Sequence, residues 1–217
     1  KEKETALMEA IKYGKTDTVA FLLERGADPD ISGFNGFTAL MLAAMWGKED
    51  SSKLLVENGA DTNIMDSSGR TALMDAADQG HTNIADLLIE NGADINAKDN
   101  NGNTALMKAA WNGRTETAAL LVENGANIEA MNNLGYTSLI WTARQGQAEV
   151  ATLLIDNGAD INNGDAAGNT AVMWTAQRGT NQVAMLLIEH GADIDAGNNA
   201  GATALMMAAV KGYMDSV

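Results

Sequence analysis

The sequence predicts an all-α solenoid built from seven units, and three observations carry that prediction. A glycine recurs every 33 residues, at Gly14, Gly47, Gly80, Gly113, Gly146, Gly179 and Gly212. A threonine keeps the same interval at Thr5, Thr38, Thr71, Thr104, Thr137, Thr170 and Thr203, and two more glycine rows, Gly26 to Gly191 and Gly36 to Gly201, hold the register. Within each period, apolar residues fall twice at helical spacing. A unit of this kind cannot bury its apolar face alone, so its neighbours must stack on it.

The unit around "TALMKAAWNG" (residues 104–113) shows the elements in order. Thr104 offers a side-chain oxygen ahead of an apolar run and is expected to cap a first helix. Leu106, Ala109 and Ala110 share one face and form its buried side. Gly113 ends the helix, where a left-handed residue is wanted. Residues 116–124 carry Leu120, Leu121 and Val122 and predict a second short helix closed by Gly125. The Asn-rich stretch that follows reads as an extended, hairpin-like loop. Alanine pairs such as Ala76 and Ala77 let successive first helices approach closely. Leucine pairs such as Leu87 and Leu88 fill the space between units, and Phe21 is expected in the same core. The chain divides into one domain, 1–217, with units near 1–32, 33–65, 66–98, 99–131, 132–164, 165–197 and 198–217, the first and last incomplete.

The 33-residue period, together with "TALM", the paired alanines and "LLIENGADIN", resembles the ankyrin repeat family along essentially the whole chain. Where that family usually has Thr-Pro-Leu-His, this chain has Thr-Ala-Leu-Met, and proline occurs once, as Pro29. The resemblance implies a curved stack of helix pairs, protein–protein interaction as the default activity and no catalysis.

Composition narrows the field. With 14 Lys+Arg against 29 Asp+Glu, the formal net charge is −15. A nucleic-acid or anionic-membrane binder needs a cationic footprint, which this balance opposes. There is no cysteine, so disulfides and thiolate chemistry are excluded. No apolar run approaches the roughly 20 residues of a membrane span. The chain begins at Lys1 rather than Met, which reads as a processed or trimmed form. A cytoplasmic setting is favoured, and a periplasmic or secreted one is compatible. Repeat seven stops at Val217 inside its second helix, which predicts an excised segment or self-association through an open C-terminal repeat.

Catalytic and metal chemistry find no support in the sequence. His81 sits in an inter-helix turn and His190 at the end of a second helix, neither with a partner that suggests a triad. The loop with Asp99, Asn101 and Gly102 faintly resembles a calcium loop, but Lys108 replaces the glutamate such a loop requires. Six of the 12 methionines fall in one column, Met8, Met41, Met74, Met107, Met173 and Met206, as expected of core fillers rather than ligands. No cofactor is expected.

The aromatic residues carry what function the sequence shows. On the helical wheel, the first-helix face opposite the alanines holds Tyr13, Met45, Trp46, Lys108, Trp111, Asn112, Trp141, Arg144, Trp174, Arg178, Met207 and Lys211. Phe34, Phe37 and Tyr136 stand on the loops beside it. All four tryptophans lie there, and the outward face of the second helices is expected to carry no aromatic. Clustered exposed aromatics mark partner surfaces, and each well-seated anchor contributes about 2 kcal/mol or more. Asp75 and Asp78 predict an acidic patch at repeat three; Lys108, Arg144, Arg178 and Lys211 predict a cationic stretch after it. The expectation is a non-catalytic module that binds a protein or peptide with apolar and acidic residues in a concave groove. Removing Trp141 and Trp174 should then abolish binding with little loss of stability. A regulatory segment of a larger enzyme or transporter, an engineered scaffold, and a surface that stacks on sugars or single-stranded bases are the alternatives.

Overall fold

The computed structural model describes residues 4–211, and of Lys211 the backbone alone. Each unit is a helix pair: α1 (Ala6–Lys12) and α2 (Thr16–Glu24), α3 (Ala39–Met45) and α4 (Glu49–Glu57), α5 (Ala72–Gln79) and α6 (Thr82–Glu90), α7 (Ala105–Trp111) and α8 (Thr115–Glu123), α9 (Ser138–Gln145) and α10 (Ala148–Asp156), α11 (Ala171–Arg178) and α12 (Asn181–Glu189), then α13 (Ala204–Lys211). Odd-numbered helices form an inner layer and even-numbered ones an outer layer, each helix packed on its counterpart in the next unit.

The local chemistry explains the inner helices. Thr104 adopts an extended backbone and its hydroxyl accepts the N–H of Met107 at 3.4 Å, satisfying one of the open donors of the first turn. Thr5, Thr38, Thr71, Thr137 and Thr203 do the same. Thr170 is extended in the same way but makes no such bond. In the first two repeats the methionine reaches back as well: the sulfurs of Met8 and Met41 each accept the threonine N–H at 3.5 Å. This is a capping box with a thioether in the acceptor's place. Met8, Met41, Met74, Met107 and Met173 are all buried in the stack, as fillers should be. Gly113, at φ +65°, turns the chain so that the Arg114 N–H reaches the Ala109 carbonyl at 2.9 Å.

The core is one continuous cluster that runs through every unit. Ala76, Ala77, Ala109 and Ala110 are fully buried where neighbouring inner helices meet. The second leucine of each later pair, such as Leu88 or Leu121, is buried, and the first packs half-buried against the preceding unit. Phe21 occupies that first-leucine column, and here the expectation of a core residue is corrected. It is 51% exposed with Arg25 stacked on its ring at 4.7 Å, because no layer among the described residues precedes it. Phe21 is thus exposed at the end of the stack rather than on the outward face of the outer helices. At the other end, Leu205, Met206 and Val210 are exposed, so the expectation of Met206 as a core filler is corrected: no layer among the described residues follows it.

The loops stack as tightly as the helices. The side-chain oxygen of Asn63 accepts the Asp94 N–H at 2.7 Å, and Asn96 receives Asn127 in the same way at 2.8 Å. Asn162 and Asp193 repeat the contact at 2.8 Å, so the last residue of each "GADIN" signature belongs to a ladder between units. His81 holds the N-cap position of α6 in the inter-helix turn without a side-chain cap bond, its ring packed beneath Gly47. His190 places Nδ1 2.8 Å from the Leu186 carbonyl.

Candidate partner-binding groove

Three positions of each inner helix build the groove surface, and they lie at different depths. The fourth residue after the cap threonine forms the floor: Asp75 and Trp141 are buried there, and Leu42, Lys108, Trp174 and Met207 are half-buried. The seventh and eighth residues form the surface. Tyr13, Trp46, Trp111, Gln145 and Arg178 are exposed; Met45, Asp78, Asn112 and Arg144 are half-buried. The floor is covered because each loop folds back over its own inner helix. Lys108 Nζ bonds Asp99 Oδ2 at 2.8 Å, and Trp174 Nε1 donates to Asp165 Oδ2 at 3.0 Å.

This depth profile divides the four tryptophans. Trp46 is 40% exposed and Trp111 is 43% exposed, as expected of groove anchors. Trp141 is only 7% exposed and Tyr136, at 9%, is equally sealed; the expectation that both stand open is corrected. Tyr136 lies edge-on to Trp141 at 4.9 Å and to Trp174 at 5.5 Å, and Trp111 covers the other side of Trp141 at 4.2 Å. Arg144 spans the cluster, its guanidinium 4.6 Å from the Tyr136 ring, 4.7 Å from Trp141 and 4.4 Å from Trp174. The wheel alone put these side chains on the polar side of the helix. It could not show that a tyrosine before one cap and two floor tryptophans in adjacent repeats reach each other.

The charges are also redistributed. Asp75 is completely buried and meets Arg70 at 2.6 Å, and Asp78 meets the same guanidinium at 3.3 Å. Repeat three is therefore not an open acidic patch. The sequence reading missed Arg70, although it precedes Thr71 as Phe37 precedes Thr38 and Tyr136 precedes Thr137, a position that leans over the floor. Burial pushes the Asp75 carboxyl up to about 7, a rise that Arg70 only partly offsets. Lys108 is likewise committed: burial alone would raise the Asp99 carboxyl, but Lys108 and Asn103 bond to it and hold it below its ordinary value. Asn112 donates to Asp78 Oδ1 at 2.9 Å. The cationic stretch reduces to Arg144 and Arg178, and the side chain of Lys211 lies outside the described residues.

Two of the hollows on this surface lie on either side of the charged cluster of repeat three. A cleft of about 350 Å³ lies over α7, lined by Asp78, Asn103, Met107, Lys108, Trp111, Asn112 and Trp141. A smaller one of about 170 Å³ near the first repeats is lined by Glu4, Met8, Phe34, Phe37, Leu42 and Met45, with Tyr13 and Trp46 exposed on the neighbouring turns. The charged cluster of repeat three separates them, so the aromatic row is two patches rather than one.

The model for "Ankyrin repeats (3 copies)" matches residues 7–99, 53–132, 97–165 and 139–217. The chain belongs to the ankyrin repeat family. No curated protein sequence matches it. Among solved structures, the human ASB11 ankyrin repeat domain is similar: TM-score 0.87 and 25% sequence identity, covering 94% of this chain and 92% of that one. Ankyrin repeats are generally protein–protein interaction modules, and the fold is typically non-enzymatic.

Proposed function

We propose that this ankyrin repeat protein is a non-catalytic binding module that takes a peptide segment of a partner protein along its groove. The partner's apolar side chain is anchored in the cleft over α7. The observation that carries this reading is the pairing of Trp111 with Trp141. A sealed ring forms a rigid floor, and a 43% exposed ring stands against it as the wall of a cleft of about 350 Å³. A tryptophan held by packing keeps a large contact area ready and loses little side-chain freedom when a partner arrives. The rigid stacked repeats lower the ordering cost further. Tyr13, Phe34, Phe37, Met45 and Trp46 supply a second contact region for a longer partner.

A random peptide library selected on the native protein tests this. Trp111→Ala is expected to weaken the selected peptides about 30-fold, matching the roughly 2 kcal/mol of a well-seated anchor, while the fold is retained. Selected peptides that bind this variant as well as the native protein would place recognition elsewhere.

A further inference from the structure

Arg144 has no acceptor. None of its nitrogens makes a hydrogen bond or an ion pair with any described residue, and Nε is buried with nothing to bond. This is unusual for a group with five N–H donors in a chain of net charge −15. The other groove-side cations of repeats three and four are all paired: Arg70 with Asp75 and Asp78, and Lys108 with Asp99. The nearby carboxylate that could have served, Asp165, is occupied by Trp174 Nε1 and by the N–H groups of Ala167 and Asn169.

The guanidinium is nevertheless held firmly. Rings of Tyr136, Trp141 and Trp174 lie 4.4 to 4.7 Å from it, which fixes its plane through cation–π attraction and packing. Burial, and to a smaller degree repulsion from Arg178, lowers its pKa from the ordinary arginine value, and the pull of Tyr136 and Asp165 offsets this only in part. An anion arriving at its terminal nitrogens would relieve both effects. Those nitrogens belong to the half-buried seventh position, the one that Asp78 and Trp111 use to line the cleft in the two preceding repeats.

We propose that Arg144 is a preset carboxylate receptor: its terminal nitrogens take the Asp or Glu side chain of the bound peptide, next to the residue anchored against Trp111 and Trp141. The inner-helix surface continues on both sides of Arg144, over α7 and over α11, so a chain passes across it and the carboxylate belongs to a side chain. This inference rests on the peptide-binding reading above. The planar fork suits a bidentate carboxylate, and the rings remove the rotamer entropy that an exposed arginine would lose. Arg178, exposed on α11 in the next repeat along the groove, adds attraction without fixed geometry.

Peptides selected from the random library on the native protein provide the probe. They are expected to share an Asp or Glu, and its change to Asn or Gln should weaken binding tenfold or more to the native protein. In Arg144→Gln and Arg144→Lys proteins the same peptide change should cost less than threefold. Comparing acidic and amide peptides within each protein cancels any general disturbance of the aromatic cluster. Peptides without a shared acidic residue, or an equal acid-to-amide loss in native and Arg144→Gln proteins, would overturn the receptor and leave the groove standing. A failure of Trp111→Ala to weaken any selected peptide would overturn the groove, and this inference with it.

Discussion

Trp111 and Trp141 touch at 4.2 Å, yet different forces hold them. Trp141 sits at a floor position beneath Arg144 and beside Tyr136, so it is part of the packing of repeats four to six. Trp141→Ala is expected to cost about 3–5 kcal/mol, the range for a large buried aromatic, and calorimetry or urea unfolding will register it as a large loss. A change within about 0.5 kcal/mol would restore Trp141 to the open groove. Asp75 makes the residue-scale point for charge. Its folded pKa, about 7, lies above the ordinary carboxylate value, so folding takes up a proton between roughly pH 4 and 7. The contribution to stability is therefore greatest below the unfolded carboxylate range and is lost as pH rises toward 7. Asp75→Asn should remove that slope, at most about 1.4 kcal/mol per pH unit, in melting curves collected across this range. A native and a variant curve that run parallel would show Asp75 ionised throughout. The sequence marked both residues as chemically distinct. It placed both on the wrong side of the surface, because exposure depends on a loop that folds back over the helix.

At the scale of the element, the helices were legible almost residue by residue. Cap threonines, glycine stops and apolar spacing are local signals, and α7 runs over Ala105–Trp111 where Thr104 and Gly113 frame it. The loops were legible as turns, but their contacts with the next loop were not. Gly102 has φ +79°, and a Cβ there would lie 2.7 Å from Asn133 Oδ1 and 2.9 Å from the Asn133 backbone nitrogen. The first fact follows from turn chemistry; the second requires the neighbouring repeat. Gly102→Ala is thus strained twice, by its own backbone and by contact with residue 133, and is expected to destabilise by about 1–3 kcal/mol. A melting temperature unchanged in Gly102→Ala would mean that the loops do not stack this closely. The pairing of Lys108 with Asp99 belongs here too, because it crosses from loop to helix inside one repeat and spends a cation that the sequence had counted as open.

Across the described residues, the main helix contacts run within a repeat or to the next one, so the stack is held by a chain of interfaces. Leu106 is fully buried in α7, in the middle of that chain. Leu106→Ala is expected to cost about 2–5 kcal/mol and also to uncouple the two sides. Tryptophan fluorescence, dominated by Trp111, Trp141 and Trp174, should then unfold at a urea concentration different from that of the far-ultraviolet helical signal. The native protein should show one coincident transition, and coincidence in the variant would argue for a single cooperative unit. The sequence by itself determined the repeat, its 33-residue period, the helix boundaries and the face on which the aromatics gather, because these follow from local geometry and periodicity. Only the tertiary structure decided which aromatics are open, which charges are already neutralised and that Arg144 is caged by rings without an acceptor among the described residues. The physical reason is that burial and pairing are set between one repeat and the next, and between a helix and the loop laid across it, at distances that no single helical wheel contains.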